Sequence, residues 1–358
     1  MSLISVSQLQ AGMVLADDIY IFDNKLLLPK DTELTDYMIN KMGFYAISNV
    51  KVKDSVPSET VIPASGEDES YSKRLKHSPE FKTFKEEFFK NLYVLKTEFL
   101  DIANKNEKIQ PSEFLNRINS IIGSAGGKNI FDMLHCMREY DDSTFVHSLN
   151  TALICHVFGN WLDLNQEDLD VLTLSGLLHD IGKLRVSDTI IKKNGMLSPA
   201  ERSLMEAHTI YGYEILKNQE IDERIKLTAL MHHERCDGTG YPKAYRASQI
   251  TDFAKIVGIV SEYDSLTSAR PYRNAMCPFD VIKQFELEGL QKFETRYILT
   301  FLDHVSNSFI NNTVLLNNDQ KAEVIMINKQ FLCRPMVKSG KNFIDLTKTN
   351  DLYIKAVI

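Results

Sequence analysis

Features that would assign this chain to a specialised class of protein are scarce in its 358 residues. The five cysteines are scattered and show no CxxC spacing, so they indicate reduced thiols rather than a disulfide framework or a zinc knuckle. No apolar run approaches the length of a membrane span, and the N-terminus MSLISVSQLQ lacks the basic start and apolar stretch of a signal peptide. We therefore expect a cytoplasmic protein that does not bind a membrane.

An excess of basic residues is also absent. The formal net charge of -7 argues against a nucleic-acid polymer as the partner. A small anion held by a local basic cluster stays compatible with this charge, because the local potential matters more than the net charge for such a ligand. Hydrophobic residues make up 44% of the chain, which is long enough for two or three domains with their own cores.

The distribution of apolar residues predicts a mainly α protein with some β structure at each end. Residues 1–53 contain β-like runs and one helical stretch, which predicts a small α+β domain that could receive an input signal. The run DSVPSETVIPASGEDES (54–70) is rich in Ser, Pro and acidic residues and predicts a linker. Beyond it we expect a helical connector (71–125), an all-helical domain (126–311) and a β-rich extension (312–358).

One apolar stripe runs along the connector. Ser78 and Pro79 predict a helix start. We favour a helix that packs on its own domain. The alternative is a helix that joins two copies as a homodimer through residues 78–103 and passes a signal onward. The stripe consists of Phe81, Phe84, Phe88, Leu92, Leu95, Phe99 and Ile102.

Histidine and aspartate side chains accumulate in the predicted helical domain, between positions 147 and 233. The adjacent pairs His179-Asp180 and His232-His233 are hard to explain by packing, and His147 and His208 lie nearby in the sequence. A helix end can present two neighbouring residues to one site, because the chain turns there. Imidazole and carboxylate together suit Fe, Mn, Zn or Ni, so the pattern predicts a metal site.

Other polar residues in the same region have ordinary explanations. His77, His135, His156 and His304 are isolated, and a lone helix histidine is more often a hydrogen-bonded structural residue than a ligand. Glu234 directly follows the histidine pair. It is equally compatible with a metal ligand, a partner that orients an imidazole, and a surface residue.

Three motifs resemble the landmarks of the HD-GYP family, a branch of the HD metal-dependent phosphohydrolases. They are LLHDIGK (177–183), HHERCDGTGYP (232–242) and YDSLTSARPYR (263–273). The resemblance covers about residues 130–310. It implies an all-helical HD-type domain that holds two or three metal ions, usually iron or manganese. It also implies hydrolysis of cyclic di-GMP to the linear dinucleotide and sometimes on to GMP.

The resemblance also assigns roles to individual positions. It implies that Lys183 contacts the scissile phosphate and, with Asp180, serves catalysis, and that Arg270 and Arg273 hold phosphate. The loop 237–242 would line the site through Asp237, Gly238, Gly240 and Tyr241. We expect two divalent ions, iron or manganese, that bridge a hydroxide and clamp the attacking and leaving oxygens. The implied metal ligands are His147, His179, Asp180, His208, His232 and His233.

Three positions depart from the family pattern. Ser261 stands where an aspartate normally completes the basic HD metal site, and Ser143 stands where three-metal members have a glutamate. A neutral hydroxyl is a poor replacement for a carboxylate, so the ion beside Ser261 should bind more weakly. Asp264 and Glu262 are the neighbouring carboxylates that could compensate. Cys236 replaces a common tryptophan, which should change packing rather than chemistry.

Three functions fit these residues. The leading hypothesis is a metal-dependent phosphodiesterase that hydrolyses cyclic di-GMP or a related cyclic dinucleotide. The alternative is a degenerate receptor or scaffold that binds cyclic di-GMP with little or no turnover, and Ser261 and Ser143 are the evidence for it. A third reading is an HD phosphohydrolase for another phosphoester, which the complete second motif disfavours.

Overall fold

The structure is a computed structural model that describes residues 2–6, 9–10, 12–21, 25–34, 38–39, 42, 47, 49–53, 70–137, 144–193, 195–269, 275–349 and 351–358. These residues fall into two compact units, one within residues 2–53 and one within residues 70–358. Of the predicted linker 54–70, all but Ser70 lies outside the described residues.

The first unit contains two short antiparallel ladders. Strand β1 (Ser2–Ser5) pairs with β4 (Asn49–Val52), and β2 (Ile19–Ile21) pairs with β3 (Lys25–Leu28). Alternate residues of β4 are buried, as a half-buried strand requires. Described helical residues at 38–39 and 42 accompany these strands, as the predicted α+β composition requires. A small apolar core lies beneath the strands and includes Leu15, Leu34, Met42, Val50 and Val52.

The second unit begins with a succession of helices. Short 3-10 turns at Ile181–Arg185 and Ala247–Gln249 and a π turn at Phe285–Gly289 interrupt this succession. In chain order the helices are α1 (Tyr71–His77), α2 (Pro79–Lys105), α3 (Pro111–Ser124), α4 (Ile130–Met137), α5 (Thr144–Trp161), α6 (Gln166–Leu178), α7 (Asp188–Ile191), α8 (Pro199–Glu206), α9 (His208–Leu216), α10 (Glu223–Met231), α11 (Asp252–Thr267), α12 (Pro278–Gln284), α13 (Leu290–Lys292) and α14 (Thr295–Ser308).

Helix α2 starts where the sequence predicts. The Ser78 hydroxyl accepts a hydrogen bond from the Phe81 amide, and Pro79 occupies the first turn. All seven residues of the apolar stripe are buried within the second unit, where Phe99 contacts Phe114 of α3 and Phe145 of α5. The favoured interpretation, a helix packed on its own domain, therefore agrees with the structure. The homodimer through residues 78–103 stays a prediction.

Helices α5 and α6 form the centre of this unit. Almost every residue from Val146 to Cys155 is buried, and α6 is buried from Val171 to Leu178. A helix that is apolar around its whole circumference lies in the interior rather than on a surface. The two helices therefore hold fixed positions, and their polar side chains need partners inside the protein.

The chain ends in an antiparallel sheet of five strands in the order β8-β7-β6-β5-β9. This sheet confirms the predicted β-rich C-terminal extension. Its strands are β5 (Thr313–Leu316), β6 (Lys321–Met326), β7 (Met336–Ser339), β8 (Asn342–Asp345) and β9 (Ile354–Val357).

The predicted fold class, a mainly α protein with strands at both ends, is confirmed. Contacts join the connector, the central helices and the sheet within one compact unit, and the proposed domain boundaries at 125 and 311 stay a prediction. Among the residues that the structure describes, no helix has both the length and the apolar character that a membrane span requires.

A buried aspartate links three parts of the second unit. Asp132 of α4 accepts a hydrogen bond from the Tyr71 hydroxyl at 2.9 Å and lies 3.4 Å from the Asn312 amide nitrogen. The backbone amide of Tyr71 in turn donates to the hydroxyl of Thr313 in β5. Burial raises the pKa of Asp132 to about 6, although the hydrogen bonds from Tyr71 and Asn312 oppose this shift.

Replacement of Asp132 by asparagine should change how stability depends on pH. In the unfolded chain the Asp132 carboxyl group loses its proton at about pH 4, whereas in the folded chain its pKa is about 6. The wild-type free energy of unfolding therefore loses a contribution as the pH rises through this window. Urea unfolding should be measured at several pH values in this window. The free energy of unfolding of Asp132→Asn should increase relative to that of the wild type as the pH rises. The exposed control Asp188→Asn should show no such gain, and a flat difference for Asp132→Asn would contradict the account.

Candidate metal centre

Helix ends carry most of the candidate metal ligands. His179 and Asp180 follow the last turn of α6, His208 opens α9, and His232 and His233 follow α10. His147 comes from the first turns of α5. Four separate helices therefore converge on one buried point of the second unit.

Close packing of backbone brings two of these helix ends together. A Cβ atom added to Gly182 would lie 1.9 Å from the carbonyl oxygen of His208 and 2.3 Å from the amide nitrogen of Gly212. Only glycine permits this approach between the 3-10 turn and α9. Because Gly182 packs against α9, Asp180, two residues before it, lies beside His208.

The side chains form two groups that share one carboxylate. In each group the potential ligand atoms lie within 4.8 Å of one another. We call the first group the histidine subsite and the second the serine subsite, because Ser261 lies beside it. The histidine subsite contains Asp180, His208, His232 and His233, and the serine subsite contains His147, His179 and Asp180.

The two oxygens of Asp180 divide between these subsites. Oδ1 lies 3.2 Å from Nε2 of His208 and 3.6 Å from Nε2 of His232. Oδ2 lies 3.5 Å from Nε2 of His147 and 3.4 Å from Nε2 of His179. Asp180 would therefore offer one oxygen to an ion in each subsite.

Hydrogen bonds orient four of the imidazole rings. Nδ1 of His179 lies 2.8 Å from the Gly176 carbonyl, and Nδ1 of His208 lies 2.7 Å from the Met205 carbonyl. His232 makes similar contacts through Nδ1, and Nδ1 of His147 lies 2.7 Å from the Asp264 carboxylate. A carbonyl or carboxylate accepts the Nδ1 proton, so each Nε2 presents a lone pair to the centre.

Burial keeps three of the imidazoles neutral. It lowers the pKa of His232 to about 4 and holds the pKa values of His179 and His233 well below their usual range. Burial opposes ionisation of Asp180, but the adjacent Lys183 ammonium favours the carboxylate form, and the pKa of Asp180 lies well below its usual range. Neutral imidazoles around an ionised carboxylate are the forms that bind metal ions.

The donor set fits divalent ions. Asp180 is 1% exposed, and its Oδ1 finds no hydrogen-bond partner among the residues that the structure describes. The nearby Nε2 of His208 cannot donate to it when Nδ1 carries the proton. A buried carboxylate oxygen is costly without a partner, and a metal ion would satisfy it.

Lys183 contacts the other oxygen of the shared carboxylate. Its Nζ lies 2.5 Å from Asp180 Oδ2, and its side chain is 20% exposed. The predicted phosphate-contacting lysine is thus at the edge of the centre, on the side of the serine subsite.

The loop 237–242 folds back over the histidine subsite. A Cβ atom on Gly240 would lie 2.4 Å from the His233 carbonyl oxygen, so glycine is required there, and Gly238 has a positive φ of 84°. The Tyr241 ring stacks on His233 with 4.6 Å between the ring centroids. Asp237 accepts hydrogen bonds from the backbone and side chain of Thr239. Gly240 and Tyr241 therefore lie against the metal-binding residues, while the Asp237 carboxylate shapes the loop.

Glu234 secures the same loop. Its carboxylate accepts hydrogen bonds from the backbone amides of Lys243 at 2.7 Å and Tyr245 at 2.9 Å, and the residue is 5% exposed. The three roles left open for Glu234 by the sequence are therefore wrong. It neither reaches the cluster nor orients an imidazole, and it is not a surface residue.

A model of the HD domain family matches residues 135–296. This segment belongs to the HD domain family. The expected resemblance to the HD-GYP branch is confirmed. The fold agrees with that of Bd1817, an HDG"Y"P protein from Bdellovibrio bacteriovorus, at a TM-score of 0.55 and 14% identity over 85% of this chain and 99% of that chain.

The HD domain is also similar to curated enzymes. The cyclic di-GMP phosphodiesterase PdeB of Borreliella burgdorferi is 28% identical over 55% of this chain and 53% of its own length. The 3'3'-cGAMP-specific phosphodiesterase 3 of Vibrio cholerae is 37% identical over 37% of this chain and 29% of its own length. The chain thus spans about half the length, or less, of these relatives.

Ser261 of α11 lies beside the candidate metal ligands. Its hydroxyl lies 3.2 Å from Nε2 of His147, at the serine subsite. Neither expected substitute reaches this point. Asp264 contacts the opposite nitrogen of the His147 ring, and Glu262 forms an ion pair with Arg235 at 3.0 Å. The idea that either carboxylate compensates for Ser261 as a ligand is therefore wrong.

Three predicted positions lie outside the described residues: Ser143, Arg270 and Arg273. Their expected roles stay predictions.

The sequence analysis missed two supporting residues. Asn150 donates from Nδ2 to Asp264 at 3.1 Å, and Asp264 in turn holds the His147 ring. Asn150 lies one turn beyond His147 in α5, so helical spacing was the available signal. Arg235, beside the histidine pair, donates to the carbonyls of His232 and Glu234 and packs on the Phe293 ring.

Replacement of Glu234 by alanine should loosen the loop. Each lost hydrogen bond to the carboxylate should make local opening easier by about 1.5–3 kcal/mol. Hydrogen exchange of the Lys243 and Tyr245 amides should accelerate, whereas the exposed control Glu220→Ala should leave both rates unchanged. Unchanged protection in Glu234→Ala would show that another interaction holds the loop.

Proposed function

We propose that the protein is a metal-dependent phosphodiesterase that hydrolyses cyclic di-GMP or a related cyclic dinucleotide. The observation that carries this proposal is the meeting of two ligand groups on one buried carboxylate, Asp180, in a domain whose relatives are named cyclic dinucleotide phosphodiesterases. The proposed metal ligands are the six residues that line these subsites. Two divalent ions, iron or manganese, would supply Lewis acidity and activate water for in-line attack on phosphorus.

The protein side chains would position the substrate. A cyclic dinucleotide carries two phosphodiester charges, and the Lys183 ammonium at the edge of the centre can steady one of them. Arg270 and Arg273 are proposed to hold phosphate as bidentate donors. The stacked rings of Tyr241 and His233 would border the substrate site on one side. The hydrogen bonds that Glu234 accepts from two backbone amides would hold the Tyr241 loop in place.

A second candidate function rests on Ser261. The serine subsite offers a hydroxyl where a carboxylate would otherwise bind, which favours a receptor that binds the cyclic dinucleotide with little turnover. The proposed receptor and the proposed enzyme would use the same site and ligand, so they differ only in whether product forms.

Incubation of the purified chain with Mn²⁺ or Fe²⁺ and cyclic di-GMP, or 3'3'-cGAMP, should give linear dinucleotide or mononucleotide, measured by chromatography. His179→Ala removes one ligand of the serine subsite and should abolish the product. The matched control His156→Ala alters a half-buried histidine that contacts Thr173, and it should retain activity. Tight binding without product in the metal-loaded wild type would establish the receptor, and absence of binding would refute both functions.

Ser261→Asp restores a carboxylate at the serine subsite and should raise the turnover rate with Mn²⁺. Ser203→Asp on the exposed face of α8 is the matched control and should leave the rate unchanged. An unchanged rate in Ser261→Asp would show that the hydroxyl does not limit the reaction.

A further inference from the structure

The two subsites differ in the ligands that they offer. The histidine subsite combines three imidazoles with Asp180 Oδ1. The serine subsite combines two imidazoles with Asp180 Oδ2 and adds only the neutral Ser261 hydroxyl. A divalent ion gains more from a third imidazole than from an alcohol, so the histidine subsite should bind the tighter ion.

The two oxygens of Asp180 differ as well. Oδ1 faces the histidine subsite and finds no hydrogen-bond partner among the described residues, whereas Oδ2 forms an ion pair with Lys183 at 2.5 Å. The ammonium thus neutralises the oxygen that a second ion would need. Asp180 is 1% exposed, so charges compete there with little screening by water.

We propose that the protein loads its ions in order, the first in the histidine subsite and the second in the serine subsite, where it displaces Lys183 from Asp180 Oδ2. The displaced ammonium then becomes available to a substrate phosphate. Lys183 thereby couples the second ion to phosphate binding. This inference rests on the proposed function, and it adds that metal supply regulates the site.

The consequence is a chain with two states. With one ion, Lys183 stays on Asp180 and the phosphate loses its cationic partner. With two ions, both oxygens of Asp180 are satisfied and Lys183 can turn outward, since its side chain already reaches solvent. Metal concentration would therefore switch the protein between a weak and a strong binder of phosphate.

Titration of the metal-depleted full chain with Mn²⁺, without nucleotide, tests the order. Free Mn²⁺ measured by electron paramagnetic resonance should reveal two classes of site that differ by at least about tenfold in affinity, the scale on which ligand surroundings alter metal binding. His233→Ala should remove the tight class, and His179→Ala should remove the weak class. Circular dichroism checks that both variants fold.

Two milder variants separate the causes. Lys183→Met removes the competing ammonium and should tighten the weak class while the tight class keeps its affinity. Ser261→Asp should tighten the weak class through an added ligand, by about tenfold or more. The matched controls Lys192→Met and Ser203→Asp alter exposed residues away from the cluster and should leave both classes unchanged.

Two equal classes in the wild type would overturn the proposal, as would loss of the tight class in His179→Ala. Weaker binding of the second ion in Lys183→Met would overturn the displacement step. These results are independent of the proposed function. Two unequal classes of Mn²⁺ site without hydrolysis would support the loading order and refute the proposed enzyme. Hydrolysis with two equal classes would support the enzyme and refute the loading order.

Discussion

The candidate metal centre depends on one buried charge, the carboxylate of Asp180. Asp180 is ionised and almost completely excluded from water, which is costly unless positive groups surround it. Lys183 satisfies one oxygen. The imidazole lone pairs around the carboxylate would need a bound cation between them and its other oxygen. Removal of this carboxylate would leave the two subsites without the ligand that they share.

The neighbouring backbone is built around that constraint. Gly182 allows the turn after Asp180 to touch α9, and Gly240 allows the following loop to lie on the histidine pair. Glu234 then fastens this loop through two amides. Rigid placement of ligands in this way lowers the reorganisation that metal binding would otherwise require.

Much of this arrangement could be predicted from sequence. The apolar stripe of α2 and the start signal at Ser78 depend on local spacing, and both agree with the structure. The pairs His179-Asp180 and His232-His233 stood out because packing alone rarely places such residues together. His147 and His208 joined the same candidate set because they lie in the same helical stretch, and the structure brings all of these residues together.

Other features depend on contacts between distant residues, which no local pattern encodes. Glu234 bonds to amides that lie beyond a tight loop, and Asp264 contacts a histidine from another helix. From the sequence both carboxylates were candidate ligands. Tertiary packing alone decides which way each side chain points, and the sequence does not show it. The sharing of Asp180 between two subsites could not be predicted from local sequence either, because it depends on the relative positions of four helices.

Anomalous diffraction from crystals of the Mn²⁺-loaded protein would test the central claim most directly. The account predicts a strong peak within coordination distance of Asp180 Oδ1 and the three imidazoles of the histidine subsite. A second, weaker peak should lie beside Oδ2 at the serine subsite. Metal bound elsewhere, with Asp180 free of contact to either peak, would contradict the claim that this carboxylate is the shared ligand of the centre.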